Sequence, residues 1–307
     1  MATRFRGITV REGLVFEGPA GWSEFSPFLD YDLIESAPWL AAAIDSAEHD
    51  WPTPLRNVIP VNCTVPAVGP EAAAQVVRAS RGCRTAKIKV AEPGQSLADD
   101  IARVEAVRDA LGPGGKVRID VNGLWSVEEA IAAIAVLDRA AGGLEYVEQP
   151  CRTVEELAAV RRKVNVPIAA DESIRRAADP MRVVELDAAD IAVLKVQPLG
   201  GVRACLRIAE QIGIPVVVSS ALETSIGLAA GLALAAALPE LPYACGLATT
   251  ALLTADVVAH SLVPVDGALP VGRTVINRDR LADVAADDET TARWTARFDA
   301  IRKDLTQ

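Results

Sequence analysis

From Pro60 onward, short runs rich in Val and Ile alternate with longer stretches in which apolar residues recur every third or fourth position. The runs predict strands near residues 60–65, 85–90, 117–122, 144–148, 167–171, 190–195, 216–220 and 243–246. Helices are expected between them, near 70–82, 97–111, 127–141, 154–163, 179–186, 202–212 and 225–238. Ser126, followed three residues later by Glu129, carries a capping-box pattern, and Gly112, Gly142 and Gly213 stand where helices should stop. Eight strands alternating with helices favour a closed parallel barrel over an open doubly wound sheet. No Gly-x-Gly-x-x-Gly is present, and Gly200-Gly201 lacks the Lys-Ser/Thr of a phosphate loop, which weighs against nucleotide binding.

The ends of the chain break this rhythm. Strand-like pieces at Gly7–Val10 and Leu14–Glu17, a Gly/Pro/aromatic loop and a helical stretch near Ala37–Glu48 fill the first 58 residues. After Val263 come a Pro/Gly turn at 264–272 and a helical end from Asp288. We therefore expect an α+β cap formed by residues 1–58 and 264–307, packed over the mouth of a barrel spanning 59–263. The loop Gly21–Phe28 is a candidate lid.

Composition narrows the function classes. Half of the 307 residues are hydrophobic and only 4% aromatic, which describes an aliphatic, Ala-rich globular protein with ample core. The net charge of −10 and the lack of any basic cluster exclude nucleic acid as a partner. Five scattered cysteines form no Cys-x-x-Cys, so they indicate reduced core residues of a cytoplasmic protein. No signal segment follows Met1, and the longest apolar stretch, Ile226–Leu238, falls short of the ~20 residues a spanning helix needs, so no membrane role is expected. No segment specifies an oligomeric state.

The informative residues are charges at the ends of the strands. Lys89, Asp120, Glu148, Asp171 and Lys195 follow one another at steps of 31, 28, 23 and 24 residues, the length of one strand-plus-helix unit. Asp120, Glu148 and Asp171 close three neighbouring strands, and their mutual repulsion calls for a cation. All-oxygen ligation without His or Cys suits one Mg²⁺, with Mn²⁺ as a substitute. Residues two apart on a strand face one side, so Lys87 points with Lys89, and Arg118 with Asp120 and Asn122. Lys89 and Lys195 lie on strands four apart in a ring of eight and should face each other across a metal-bound carboxylate substrate. A lysine beside another cation can act as a general base, which points to proton abstraction α to a carboxylate. Lys87, Arg118, Asn122, Ser219, Ser220 and Gly246 are candidate substrate contacts. His49 and His260, the two histidines, sit away from the strand ends, so neither a serine triad nor a His-ligated metal is expected.

Taken together, Lys-x-Lys, Asp-x-Asn, Glu-Gln-Pro, Asp-Glu-Ser and the sixth-strand Lys resemble the enolase superfamily, muconate-lactonizing subgroup. The resemblance implies an α/β fold, a modified (β/α)₇β TIM barrel with a small α+β capping domain. It also implies Mg²⁺ on Asp120, Glu148 and Asp171, and acid/base roles for Lys89 and Lys195. Three further segments, at 21–28, 219–228 and 246–257, resemble the branch that dehydrates 2-succinyl-6-hydroxy-2,4-cyclohexadiene-1-carboxylate in menaquinone synthesis. By that resemblance Lys89 removes the α-proton and then protonates the departing hydroxyl, with Lys195 a stabilising cation on the opposite face. The subgroup usually carries a first capping strand before the segment that here begins at Arg4, so a trimmed cap is expected. N-succinylamino-acid racemisation, dipeptide epimerisation and, more weakly, muconate cycloisomerisation are the alternative activities. A non-catalytic barrel scaffold is the alternative of another class; loss of a ligand or base would mark it, and none is lost.

Overall fold

Pro19 and Ala20 form a two-residue turn between β1 (Leu14–Gly18) and β2 (Gly21–Phe25), which pair antiparallel. A side chain at Gly18 would collide with the Ala47 carbonyl oxygen at 2.5 Å, so glycine lets this turn rest on helix α1 (Leu33–Glu48). The helix expected near Ala37 begins four residues earlier, at Leu33, because Asp32 caps it, accepting from Glu35 N at 2.8 Å. The computed structural model describes residues 1–5, 7–176 and 179–305.

After β3 (Val58–Pro60), which stays outside the barrel sheet, the Val/Ile runs build the barrel: β4 (Cys63–Val65), β5 (Thr85–Lys89), β6 (Lys116–Asp120), β7 (Leu144–Glu148), β8 (Ile168–Ala170), β9 (Ile191–Leu194) and β10 (Val216–Val218). Strands β4 to β10 form one parallel sheet in sequence order. The expected eighth strand is reduced to two residues. Cys245 bridges to Val61 and Gly246 to Ser219, and their four backbone hydrogen bonds, of 2.8–3.0 Å, close the ring. The fold is therefore the expected (β/α)₇β barrel.

Helices α2 (Pro70–Arg78), α3 (Leu97–Leu111), α4 (Val127–Ala141) and α5 (Val154–Arg161) alternate with the strands. Capping boxes open three of them, Ser96 with Asp99, Ser126 with Glu129 and Thr153 with Glu156. The sequence expectation contained no helix directly after β8, but a single turn, α6 (Glu172–Arg175), begins there and precedes α7 (Arg182–Glu185). Helices α8 (Val202–Ile212) and α9 (Ser225–Ala237) complete the ring, and α9 is buried almost along its whole length. No helix among the described residues is long and apolar enough to cross a membrane.

Strand alternation decides which side chains enter the barrel. On β9, Ala192 and Leu194 pack outward against the helices, while Ile191 and Val193 join Tyr146, Ala169 and Val217 inside the ring. The same parity sends Lys87 and Lys89, Asp120, Glu148, Asp171 and Lys195 inward. At the far end of the chain, β11 (Ala268–Pro270) pairs antiparallel with β3. It leads to α10 (Arg278–Asp283) and α11 (Asp288–Leu305). Helix α11 packs on α1, and its Trp294 and Phe298 meet Phe25 edge-on.

Candidate active site

Register sets the first three charges level. Lys89 pairs with Asp120 across β5 and β6, and Asp120 with Glu148 across β6 and β7. Chain direction changes sharply just beyond them, through left-handed backbone at Ala91 (φ 59°), Asn122 (φ 52°) and Gln149 (φ 40°). Such residues cost about 1–3 kcal/mol each and need bracing. Asp100 accepts from Ala91 N at 2.9 Å, and Asp120 from Asn122 N at 3.2 Å. Gln149 braces its own turn: its amide oxygen accepts from Asp171 N and Ser173 N at 3.0 and 3.1 Å, and its nitrogen donates to Cys151 O and Ser173 Oγ.

Each buried carboxylate faces a buried cation. Lys87 Nζ donates to both oxygens of Glu148, at 2.8 and 2.9 Å, and lies 3.2 Å from Asp120 Oδ2. Lys89 Nζ meets the same Asp120 oxygen at 2.5 Å and also donates to Asn122 Oδ1. Lys195 Nζ lies 2.6 Å from Asp171 Oδ2, and Arg175 Nε lies 3.0 Å from Asp171 Oδ1. Burial alone would raise the Asp120 carboxyl, but Lys89 and Lys87 outweigh it and hold Asp120 well below the usual carboxylate range. Burial opposes Arg175 and Lys195 in the same way at Asp171, which also lies low. Glu148 behaves differently: burial and the Asp120 charge push it up to about 7, although Lys87 sits on both its oxygens. Burial would lower the Lys87 ammonium, yet Glu148 and Asp120 hold it above the usual lysine range.

Lys87, Lys89, Asp120 and Asn122 line one small cavity from one side, Lys195 from another, and Ser219, Ser220 and Gly246 from a third. Glu148 and Asp171 sit just behind Lys87 and Lys195. Arg118 is not at the cavity, contrary to its expected role. It points inward but one layer lower, bonded to Glu145, Asn62 and the Ala244 carbonyl and held between the rings of Tyr146 and Tyr243. Strand parity gives the side of the sheet, not the depth. Sequence reasoning named none of six further residues of the cavity wall: Phe5, Phe28, Thr64, Ala221, Leu222 and Thr249. Parity on β4 could have found Thr64; no local pattern marks the others.

The expected lid loop is not free. Residues 21–25 are β2, and Ser23 to Phe28 are buried. Glu24 accepts from Thr224 N and Gly227 N at the start of α9, at 3.0 and 3.1 Å, and Ser26 N donates to Gln197 at 3.2 Å. Phe5 covers the mouth instead, its ring centre 5.2 Å from Lys89 Nζ.

The donor set fits a hard divalent cation. Three buried carboxylates on successive strands supply only oxygen, and Glu148 feels the negative charge of both Asp120 and Asp171. Among the described residues no three acidic, His or Cys side chains converge tightly enough to ligate an ion; lysine ammonium groups stand between the carboxylates. Those cations mark where positive charge is wanted.

Comparison with known proteins agrees with this geometry. The Enolase C-terminal domain-like family matches residues 71–274, and the Enolase N-terminal domain-like family residues 1–47. An o-succinylbenzoate synthase of Thermobifida fusca (strain YX) is 66% identical over 302 residues, covering 98% of this chain and 93% of that protein. One of Mycolicibacterium smegmatis is 57% identical over 297 residues, 97% of this chain and 91% of that protein. Among solved structures, the dipeptide epimerase of Enterococcus faecalis V583 superposes with a TM-score of 0.72 at 27% identity, over 86% of this chain and 92% of that one.

Proposed function

The chain belongs to the enolase superfamily, and on that footing we propose that it is an o-succinylbenzoate synthase, a lyase of menaquinone biosynthesis. Its substrate is the small carboxylate 2-succinyl-6-hydroxy-2,4-cyclohexadiene-1-carboxylate, and its product is o-succinylbenzoate. The choice of reaction is carried by the 66% identity to a synthase over nearly the full length of both chains.

Members of the superfamily use a divalent metal, and Asp120, Glu148 and Asp171 are the residues that would hold it, as Mg²⁺ or Mn²⁺. When bound, that ion would stabilise negative charge developing on the substrate carboxylate. Lys89 acts as the base. It shares one Asp120 oxygen with Lys87 and lines the cavity beside it. Lys89 takes the α-proton and returns it to the departing hydroxyl on the same face: one C–H and one C–O bond break, a C=C bond forms and water leaves. The new double bond completes an aromatic ring, which drives the step. Lys195, from the opposite wall, lies against the other ring face as a fixed cation. Ser219, Ser220, Gly246 and Asn122 would take the carboxylate and succinyl oxygens.

The cavity measures about 30 Å³, room for one water, whereas ligand pockets run to roughly 300 Å³ or more. Substrate therefore enters with the Phe5 segment displaced. All five cysteines are buried and free, which supports a cytoplasmic setting. Two opposed lysines would equally serve a racemase, so the deciding experiment offers purified protein both substrates. Rapid loss of the cyclohexadiene absorbance with slow or no racemisation of N-succinyl amino acids is expected; the reverse ranking would overturn the synthase assignment.

A further inference from the structure

Asp171 ends β8, and the single turn of α6 returns Arg175 to it four residues later. The buried guanidinium then spends its planar fork in three directions. Nε meets Asp171 Oδ1 at 3.0 Å, Nη2 meets Glu172 Oε1 at 2.6 Å, and Nη1 donates to the Tyr31 hydroxyl, which comes from the segment between β2 and α1. Two of these directions lead to the lysines. Asp171 Oδ2 faces Lys195 Nζ at 2.6 Å. Glu172 Oε1 accepts from Asn122 Nδ2 at 3.2 Å, and Asn122 Oδ1 accepts from Lys89.

We propose that Arg175 is a positioning residue that fixes the Asp171 carboxylate for metal binding and ties both lysines to the docked N-terminal segment through Tyr31. An aspartate carboxylate is nearly two-fold about its last torsion. Holding Oδ1 on a fork that cannot deprotonate leaves Oδ2 as the oxygen presented to the cavity. A lysine at 175 would supply the charge without the geometry, since an ammonium cannot reach three fixed partners in one plane. Tyr31 adds the connection to the N-terminal segment: its ring packs edge-on with Phe28 and Trp39 at 5.6 and 5.9 Å, so its hydroxyl is placed by that aromatic core.

The proposal rests on Asp171 being a metal ligand, and the test separates the two. Mg²⁺ binding is measured by titration calorimetry on the parent, Arg175→Met, Arg175→Lys and Tyr31→Phe, with thermal melting in EDTA as the control for folding. Outer-shell partners of metal ligands typically contribute about 10- to 100-fold in affinity or activity. Arg175→Met is expected to weaken Mg²⁺ binding by that range and to lower kcat with little change in KM; Arg175→Lys should melt like the parent yet regain only part of the affinity. Tyr31→Phe keeps the aromatic packing, should melt like the parent, and should weaken Mg²⁺ binding about threefold or more. Parent-like Mg²⁺ affinity in a folded Arg175→Met, or in Tyr31→Phe should Arg175→Met not fold, overturns the proposal. A parent that binds no Mg²⁺ overturns the metal assignment, and this proposal with it.

Discussion

Glu24 gives the sharpest physical prediction, because a carboxylate from β2 is sealed against the first turn of α9. Thr224 N, the Thr224 hydroxyl, Gly227 N and the Ser26 hydroxyl all donate to it. Burial nevertheless pushes its carboxyl up to about 7 from 4.5, with the hydrogen bonds from Ser26 and Thr224 opposing, Glu223 adding to the rise and Arg11 countering it. The folded protein thus holds this proton more tightly than the unfolded chain does. Its stabilising contribution is complete below about pH 4.5 and is lost as pH rises to about 7. At about 1.4 kcal/mol per factor of ten in proton affinity, the loss is roughly 3 kcal/mol. Glu24→Gln removes the titration and keeps the shape: the amide oxygen accepts from Thr224 and Gly227, and the amide nitrogen donates to Ser26. Urea unfolding of parent and variant in EDTA, from about pH 5 to pH 8, isolates the effect as a difference between the two proteins. The variant should be about equal to the parent at the acid end and more stable by roughly 3 kcal/mol at the alkaline end. A difference that stays flat with pH, or one in which the parent gains as pH rises, would refute the argument and show that the four donors outweigh burial.

Lys89→Ala should abolish o-succinylbenzoate formation while circular dichroism still shows a folded protein; substantial remaining turnover would remove Lys89 from the role of base. EDTA should silence the enzyme and Mg²⁺ or Mn²⁺ restore it, and a metal-independent rate would count against ligation by Asp120, Glu148 and Asp171. Arg118→Met is expected to lower stability by about 3–5 kcal/mol, since it strands Glu145 and Asn62 beside an emptied layer, while KM stays near the parent value. A large rise in KM without loss of stability would return Arg118 to the substrate.

Much of the barrel could be read in advance because its signals are local and periodic. The Ser126–Glu129 capping box forms as its spacing indicates, and alternation alone turns Lys87 and Lys89 onto one Asp120 oxygen. What escaped depends on contacts across the chain. Arg118 shares its parity with Asp120, but only the rings of Tyr146 on β7 and Tyr243 in the loop before Cys245 set its depth. Gly21–Phe28 has the composition of a mobile loop, yet Gln197 and the first turn of α9 satisfy its polar groups and bury it. Arg175 lies in a helix of one turn, too short to show any period, and its meaning comes from Tyr31, 144 residues away in sequence.

The two-residue closure at Cys245 and Gly246 makes the barrel a hoop with a seam. Through its backbone Cys245 bonds to Pro60 O and Asn62 N, just ahead of β4, and Gly246 bonds to Val218 O and Ser220 N, at the end of β10. Where β5 meets β6 five residues pair; here each edge hangs on two backbone bonds. Local opening proceeds where few bonds must break, and this seam is one such place. Ser219, Ser220 and Gly246 stand on its upper lip, and a ligand gripping them would span the gap as a staple does, adding its binding energy to the closed ring. The substrate would then be a temporary member of the barrel wall.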